Sequence, residues 1–323
     1  MSERSSSRLV TEHAGEQAVQ ETAGEGGPGW GSPMFGPEIP AGFAAFLQAQ
    51  QMLTIGAMLD DGRVWASHLS GPPGFARAVD QETIVIDALP VDGDPLREAF
   101  ETERELGLLA LHPQTRRRIR INGRARRDGS KLVLHTEQVL GNCPKYLQTR
   151  GIVETRLPAD TSARHGTELS EKQRLWVERA DTFFIASYSE GNGADASHRG
   201  GTPGFVTASA RRLRWPDYTG NQFYMTLGNL YLNPAAGLLF VDWDRGHTLQ
   251  MSGTARVDWD PDQAAVWPGA LRVVEFDVES VVQIDRASRL QWEFLGYSRF
   301  NPPVQRNRRD QRNVNDDNAS FDE

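Results

Sequence analysis

The residues best equipped for chemistry lie in a segment that the chain carries twice. Residues 66–75 read ASHLSGPPGF and residues 196–205 read ASHRGGTPGF, seven of ten positions matching at an offset of 130. Each copy sets a Ser and a His before a Gly/Pro turn, whose free backbone N–H groups can face a ligand. In the second copy Arg199 and Gly200 add a cation and a permissive backbone, the composition of an anion site. Ser197, His198, Arg199 and Gly200 are therefore candidate ligand contacts, with Phe205 and Val206 closing the segment. The first copy reads equally well as a constrained hairpin loop in which His68 bonds to backbone.

The stretch downstream separates the copies. In the second it reads RWPDYTGNQFYMTLGNLYLNP (214–234). Asp217, Tyr218, Asn221 and Asn229 there offer donors, acceptors and an aromatic ring at a turn entering a helix, and a helix N-terminus suits phosphate. The first copy has IVIDALPVDGDPLREAFETE (84–103), without Asn and with extra acids, so only the second site is expected to be intact. The most basic run is TRRRIRINGRARR (115–127), where a strand would put Arg116, Arg118 and Arg120 on one face. It reads as an anion-holding surface or as a solvated barrel face, and the second copy has Thr248 and Gln250 at the places of Arg118 and Arg120. In GNCPKYLQTR (141–150), Lys145, Tyr146 and Arg150 suit ligand or inter-unit contacts. Cys143 beside Lys145 reads as an activated thiol or, more ordinarily, as a buried one. The seven histidines show no metal-ligand spacing, so no metal site is expected, and no Walker A, GxSxG or strand-linked GxGxxG signal occurs.

These residues need elements to hold them, and the same offset runs well beyond the motif. Gly107-Leu108-Leu109 matches Gly237-Leu238-Leu239; Gly123, Ala125 and Arg126 match Gly253, Ala255 and Arg256; Ile55 matches Ile185. The chain reads as a tandem duplication. Each unit is mainly β with few helices: TIGAML (54–59), TIVIDAL (83–89) and KLVLHTE (131–137) in the first, FFIASY (183–188), GLLFVDW (237–243), 248–259 and 271–284 in the second. Helical patterns cover 14–23, 41–52, 94–104 and 170–180, with a short helix from near Asn221 stopped by Pro234. The expected divisions are an N-terminal helix and loop extension (1–40), a first barrel with a degenerate site (41–154), a linker (155–169), a second barrel with the intact ligand loop (170–303) and a disordered tail (304–323).

Composition bounds the function. The 323 residues are 38% hydrophobic and 24% charged, with a formal net charge of −8 at pH 7, which argues against nucleic acid as a partner. No apolar run approaches the roughly 18 residues of a membrane span, and the first 20 residues lack a leader's apolar core. One cysteine excludes an internal disulfide framework. A cytoplasmic protein acting on a small molecule is the expectation. The skew towards Arg, with lysine only at 131, 145 and 172, reads as coding bias.

The segments WASHLSGPPGF (65–75), GNCPKYLQTR (141–150), SHRGGTPGFV (197–206), 215–243 and LQWEFLGYS (290–298), with EHAGEQAVQ (12–20), resemble the pyridoxamine 5′-phosphate oxidase-like, FMN-binding split-barrel family, in its bacterial two-barrel branch. The resemblance implies two tandem six-stranded Greek-key split barrels related by a pseudo-two-fold axis, an intramolecular pseudo-dimer able to pair again as a homodimer. It also implies an FMN-dependent oxidoreductase with flavin at the barrel–barrel interface. Carried over by position, the 203–206 strand, the Asp217–Asn221 loop, the helix start at Thr226–Asn229 and Gln250 would line the flavin, with Lys145, Arg118 and Arg120 beside it. His198 would be the candidate catalytic group. Where oxidases proper hold the phosphate with Arg and Lys, this chain has Gly204, Ser209 and Thr226, so Arg199, Arg211 or the first unit's arginines would substitute, and true pyridoxamine phosphate oxidation is not implied. Deazaflavin F420 suits such a barrel too, as does haem held by one of His13, His68, His135 or His198. A non-catalytic flavin, F420 or haem carrier is the alternative function.

Overall fold

A computed structural model of the chain describes residues 13–25, 36–141, 144–156, 160–220 and 222–302. Cys143, Asn221 and the expected disordered tail lie outside the described residues. Two helices open the fold, α1 (Ala14–Thr22) and α2 (Ala41–Gln48). A first sheet follows: β1 (Met52–Met58), β2 (Val64–Ser70), β3 (Ala76–Ala78), β4 (Thr83–Ile86), β5 (Arg104–His112), β6 (Arg117–Asp128) and β7 (Lys131–Gly141). After β8 (Thr149–Thr155), β9 (Ser162–Gly166) and α3 (Glu171–Arg179) comes a second sheet. Its members are β10 (Thr182–Ser189), β11 (Gly193–Gly200), β12 (Thr207–Ala208), β13 (Arg212–Tyr218), β14 (Ala235–Val241), β15 (Thr248–Asp258) and β16 (Ala270–Asp285). The helix α4 (Met225–Leu232) precedes β14, α5 (Pro261–Ala264) precedes β16, and β17 (Leu290–Gly296) ends the described fold.

The fold is mainly β. Strand order is β2-β1-β5-β6-β7-β4-β3 in the first sheet and β11-β10-β14-β15-β16-β13-β12 in the second, the same path twice. Pairing register repeats as well. Ile55 lies opposite Ser67 and Leu108, and Ile185 opposite Ser197 and Leu238. Both sheets break register at one equivalent point, between Asn122 and Gly123 and between Ser252 and Gly253. A shared bulge at one offset re-aims the strands alike in both halves.

Four expectations are corrected. Each path holds seven strands rather than six, the addition being the short β3 and β12, and β9 joins the second sheet on β16. The expected linker 155–169 thus contains a paired strand. Residues 94–104 form turns rather than a helix, since Gly93 takes φ +86° and the Asp94 carboxylate accepts the Leu96 N–H, fixing a tight turn. Ser67-His68 and Ser197-His198 sit inside β2 and β11, and 203–206 is the turn before β12 rather than a strand.

β1 and β10 are buried along nearly their whole length because each is covered on both faces. One face fills its own barrel core, around Ile55 and Leu108 or around Ile185 and Leu238. The other joins a third cluster between the sheets that includes Val64, Leu109, Phe184 and Leu239. Contacts across this boundary are reciprocal. A Cβ on Gly56 would stand 2.5 Å from the Ala186 Cβ; one on Gly107 would meet the Asp195 backbone at 2.5 Å, and one on Gly237 the Trp65 backbone at 2.6 Å. Downstream the offset grows, since Ile121 pairs with Val139 and Met251 with Val281, a separation of 142 between the latter partners. At that separation Gly151 and Glu293 are equivalents, and they pair with each other in the β8–β17 ladder, flanked by Ile152 with Trp292 and Arg150 with Phe294. Equivalent residues meeting each other is the pattern a two-fold axis produces.

Candidate functional site

A cleft opens where β6 of the first sheet meets β11 and α4 of the second, and it holds about 870 Å³ with its mouth counted. The first half supplies Arg118, Arg120, Lys145 and Tyr146. The second supplies Ser197 to Gly200, Phe205, Asp217, Tyr218 and Thr226. Strand alternation explains the first contribution. Arg118 and Arg120 face the cleft while Ile119 and Ile121 enter the first core.

The floor is a buried ionic knot. Arg120 Nε lies 3.0 Å from the Asp195 carboxylate, with both residues nearly inaccessible. Its Nη2 donates to Ser197 Oγ at 2.8 Å, and Thr226 Oγ1 donates to the other Asp195 oxygen at 3.1 Å. One carboxylate therefore ties β6, β11 and α4 together. Arg199 donates to Ser197 Oγ at 2.7 Å and to the His198 carbonyl at 3.1 Å. Burial pulls the Arg199 pKa down, Arg120 adding to the effect while Asp217 and Asp195 oppose it. A guanidinium nevertheless stays charged in a protein.

His198 is held neutral. Burial lowers its pKa well below the usual histidine value, and the nearby Arg118, Arg199 and Arg150 add to that. Arg118 Nη1 stands 3.2 Å from Nδ1. Because a guanidinium only donates, Nδ1 accepts and the ring proton sits on Nε2. That Nε2 is buried with no hydrogen-bond partner among the described residues.

At the rim, the Tyr146 and Tyr218 rings lie 5.2 Å apart. The Tyr146 hydroxyl donates to the Thr219 carbonyl at 2.7 Å, and Lys145 Nζ approaches the same oxygen at 3.5 Å. The remaining wall hangs on Arg272, whose Nε is 3.2 Å from Asp217 and whose Nη2 donates to the Tyr224 hydroxyl at 3.1 Å. The Tyr224 hydroxyl donates in turn to Glu25 at 2.9 Å. Burial raises the Asp217 pKa, though Arg199 and Arg272 pull against it. The lining thus carries four cations, Arg118, Arg120, Lys145 and Arg199, against two carboxylates, Glu25 and Asp217. The lining is net positive on a chain of charge −8, a balance that suits an anion.

Four expected contacts lie elsewhere. Val206 is fully buried in the second core, and Phe205 beside it is 1% exposed and stacked on Phe183, so that it only edges the cleft. Asn229 sits one turn into α4, where its side chain bonds to Ser187 and Ser189. Gln250 faces the opposite side of the boundary and donates to the Ala66 carbonyl, Ser67 Oγ and Asp94. Arg211 pairs with Glu168 on the exposed surface, away from the cleft. Of the other histidines, His13 caps α1, His135 stands beside Thr83 and His68 is buried in β2. Among the described residues no three His, Cys, Asp or Glu gather as metal ligands. Asp195, Tyr224, Arg272 and Glu25 went unnoticed in the sequence. Only Asp195 carried a signal there, as the acid two residues before the Ser-His pair.

This cationic cleft belongs to a barrel with known relatives. Residues 169–285 match the pyridoxamine 5′-phosphate oxidase family. The chain thus resembles that family through its second barrel, the half that supplies β11 and α4. No curated protein is significantly similar. Among solved structures, HupZ of Group A Streptococcus is 13% identical, with 34% of this chain and 90% of that one covered and a TM-score of 0.29. A Clostridium acetobutylicum protein of the pyridoxinephosphate oxidase family, related to general stress protein 26, is 12% identical, covering 37% and 89%, with a TM-score of 0.28. The FAD-binding protein of Mycobacterium smegmatis is 12% identical, covering 39% and 100%, with a TM-score of 0.26. No helix among the described residues is long and apolar enough to cross a membrane.

Proposed function

We propose that this chain is a flavoprotein that binds FMN in the cleft between its two sheets and uses it in an oxidoreductase reaction on a small molecule. The observation that carries the reading is the surplus of cations in the cleft, gathered from both halves. The family match of the barrel that forms most of the cleft wall supports it. The residues present fit a phosphorylated flavin. Arg118, Arg199 and Lys145 supply charge for a phosphate, and the Nε2–H of His198 is a buried donor with no acceptor among the described residues. Tyr146 and Tyr218 offer apolar faces for a planar ring system.

A bound flavin supplies the electron chemistry, and the protein's part is to bind, orient and tune it. Arg120 is held too firmly by Asp195 and Ser197 to move, so it fixes the floor rather than chasing a ligand. His198, kept neutral, works as a hydrogen-bond donor from Nε2 and holds no imidazolium proton to give at neutral pH. Phosphate chemistry shared by FMN and F420 would engage the same arginines. The first experiment is the visible spectrum of the purified protein, with the released ligand identified by mass. A flavin spectrum is the expected result; a Soret band or a colourless protein that refuses added FMN overturns the reading. Arg199→Ala is expected to lower flavin occupancy on purification by about tenfold or more, the loss of one charge-assisted contact to phosphate. Unchanged occupancy would remove Arg199 from the phosphate site.

A further inference from the structure

A second cavity lies apart from the cleft, lined by β9, α3, the β14–β15 turn, Arg150 and β17, and it holds about 2340 Å³ with its mouth counted. The duplicated fold supplies its own control. A smaller cavity of about 550 Å³ in the first half is lined by Ala49, Pro113 and Ile152. The equivalent residues in the large cavity, at offsets of 130, 130 and 142, are Arg179, Trp243 and Phe294. Both cavities share Arg150 and Trp292, but at these three places the smaller has Ala, Pro and Ile where the larger has a cation and two aromatic rings.

We propose that the larger cavity binds a nucleotide, a ligand with an aromatic base, a ribose and a phosphate. Aromatic surface stands ready for the base. Phe294 and Tyr297 are 48% and 50% exposed, with ring centroids 4.6 Å apart, an arrangement water does not favour but a stacked base would cover. Trp292, only 6% exposed at the wall between the two cavities, has an indole N–H with no acceptor among the described residues. For a phosphate, Lys172 and Arg179 line the cavity with no carboxylate partner among the described residues. The other arginines are engaged, Arg150 with Asp181, Arg164 with Asp285 and Arg245 with Asp242. One lining carboxylate, Asp244, likewise has no cation partner, and a carboxylate is the usual acceptor for ribose hydroxyls. No single one of these features selects a nucleotide; aromatic faces, an acceptor for hydroxyls and free cations together match its three parts. The acidic charge of the whole chain favours a free nucleotide over a nucleic acid strand.

The test titrates the full chain with adenosine diphosphate, adenosine and inorganic phosphate, following intrinsic tryptophan fluorescence. Saturable quenching by the diphosphate is expected, with adenosine and phosphate each weaker by about tenfold or more. The double variant Lys172→Ala/Arg179→Ala should weaken the diphosphate towards the adenosine value and leave adenosine unchanged. Phe294→Ala should weaken both. Arg199→Ala, in the other cleft, should change neither, which keeps this outcome separate from that of flavin binding. No saturable quenching overturns the proposal. So does a diphosphate affinity that survives both cavity variants, one that is lost in Arg199→Ala, or phosphate binding as well as the diphosphate.

Discussion

Arg120 and Asp195 are 3% and 1% exposed and meet at 3.0 Å, so neither charge has water to fall back on. A buried pair adds little beyond a well-packed apolar substitute, but breaking it strands a charge at a cost of about 3–5 kcal/mol. Asp195→Asn is therefore expected to lower the melting temperature markedly in a thermal scan, while the double variant Arg120→Met/Asp195→Leu recovers much of the loss. A double variant as unstable as the single one would show that the knot's hydrogen bonds to Ser197 and Thr226, rather than the stranded charge, carry the effect. The pair also marks what could be read at residue level. That Arg118 and Arg120 share a face follows from strand alternation, and the structure brings both to the cleft. Their partners, Asp195 and His198, come from the other half, and no local pattern links residues so far apart in the chain. Gln250 was misplaced for the same reason: in the fold it reaches across the two-fold boundary to Ser67, as Arg120 does to Ser197.

Helices reach the cleft by an equally non-local route. A Cβ on Gly15 of α1 would lie 2.2 Å from the Gly228 carbonyl oxygen, and one on Gly228 would lie 2.7 Å from Glu16. These two glycines let α1 and α4 cross in backbone contact. His13 caps α1 through Nδ1 in a capping box with Glu16, which fixes where the helix starts. Beyond its end, Glu25 accepts the Tyr224 hydroxyl at the cleft wall. Gly15→Ala is expected to lift α1 from α4, raising proteolytic cutting and hydrogen exchange in residues 13–25. The melting temperature should fall only slightly, because α1 adds Val19 alone to the second core's buried residues. Protection unchanged from the parent chain would mean the helices cross by another contact. The sequence pattern supports α3, where Ser170 is followed by Gln173 three residues on, whereas α1 is capped by His13, a residue that signature does not include. It supported 94–104 as well, where Gly93 and the side chain of Asp94 settled on turns instead; tertiary fixing of one carboxylate outweighed a weak helical period.

Over the whole molecule the two-fold relation predicts a second cleft, and the structure shows what stands there. Gln250 takes the place of Arg120, and its amide donates to Ser67 and Asp94, while Ser67 Oγ donates to the other Asp94 oxygen at 2.6 Å. Leu96, fully buried, stands where the first cleft has Thr226. The position is filled by its own side chains, so FMN titration should saturate at one flavin per chain; two would mean that this cluster opens. The cluster also has a pH signature. Burial pushes the Asp94 carboxyl up to about 6, so its contribution to stability is complete below 3.8 and is lost as pH rises through about 6. Burial brings the neighbouring His68 down to about 4, so its contribution is complete above 6.5 and is lost as pH falls towards 4. The two slopes oppose each other over nearly the same range and largely cancel in the parent chain. Asp94→Asn removes one of them. The difference in melting temperature between variant and parent should therefore grow in the variant's favour as pH rises from about 4 to about 6.5. A difference that stays constant across that range would show that Asp94 titrates as an ordinary carboxylate, and that the filled position is wetter than its burial indicates.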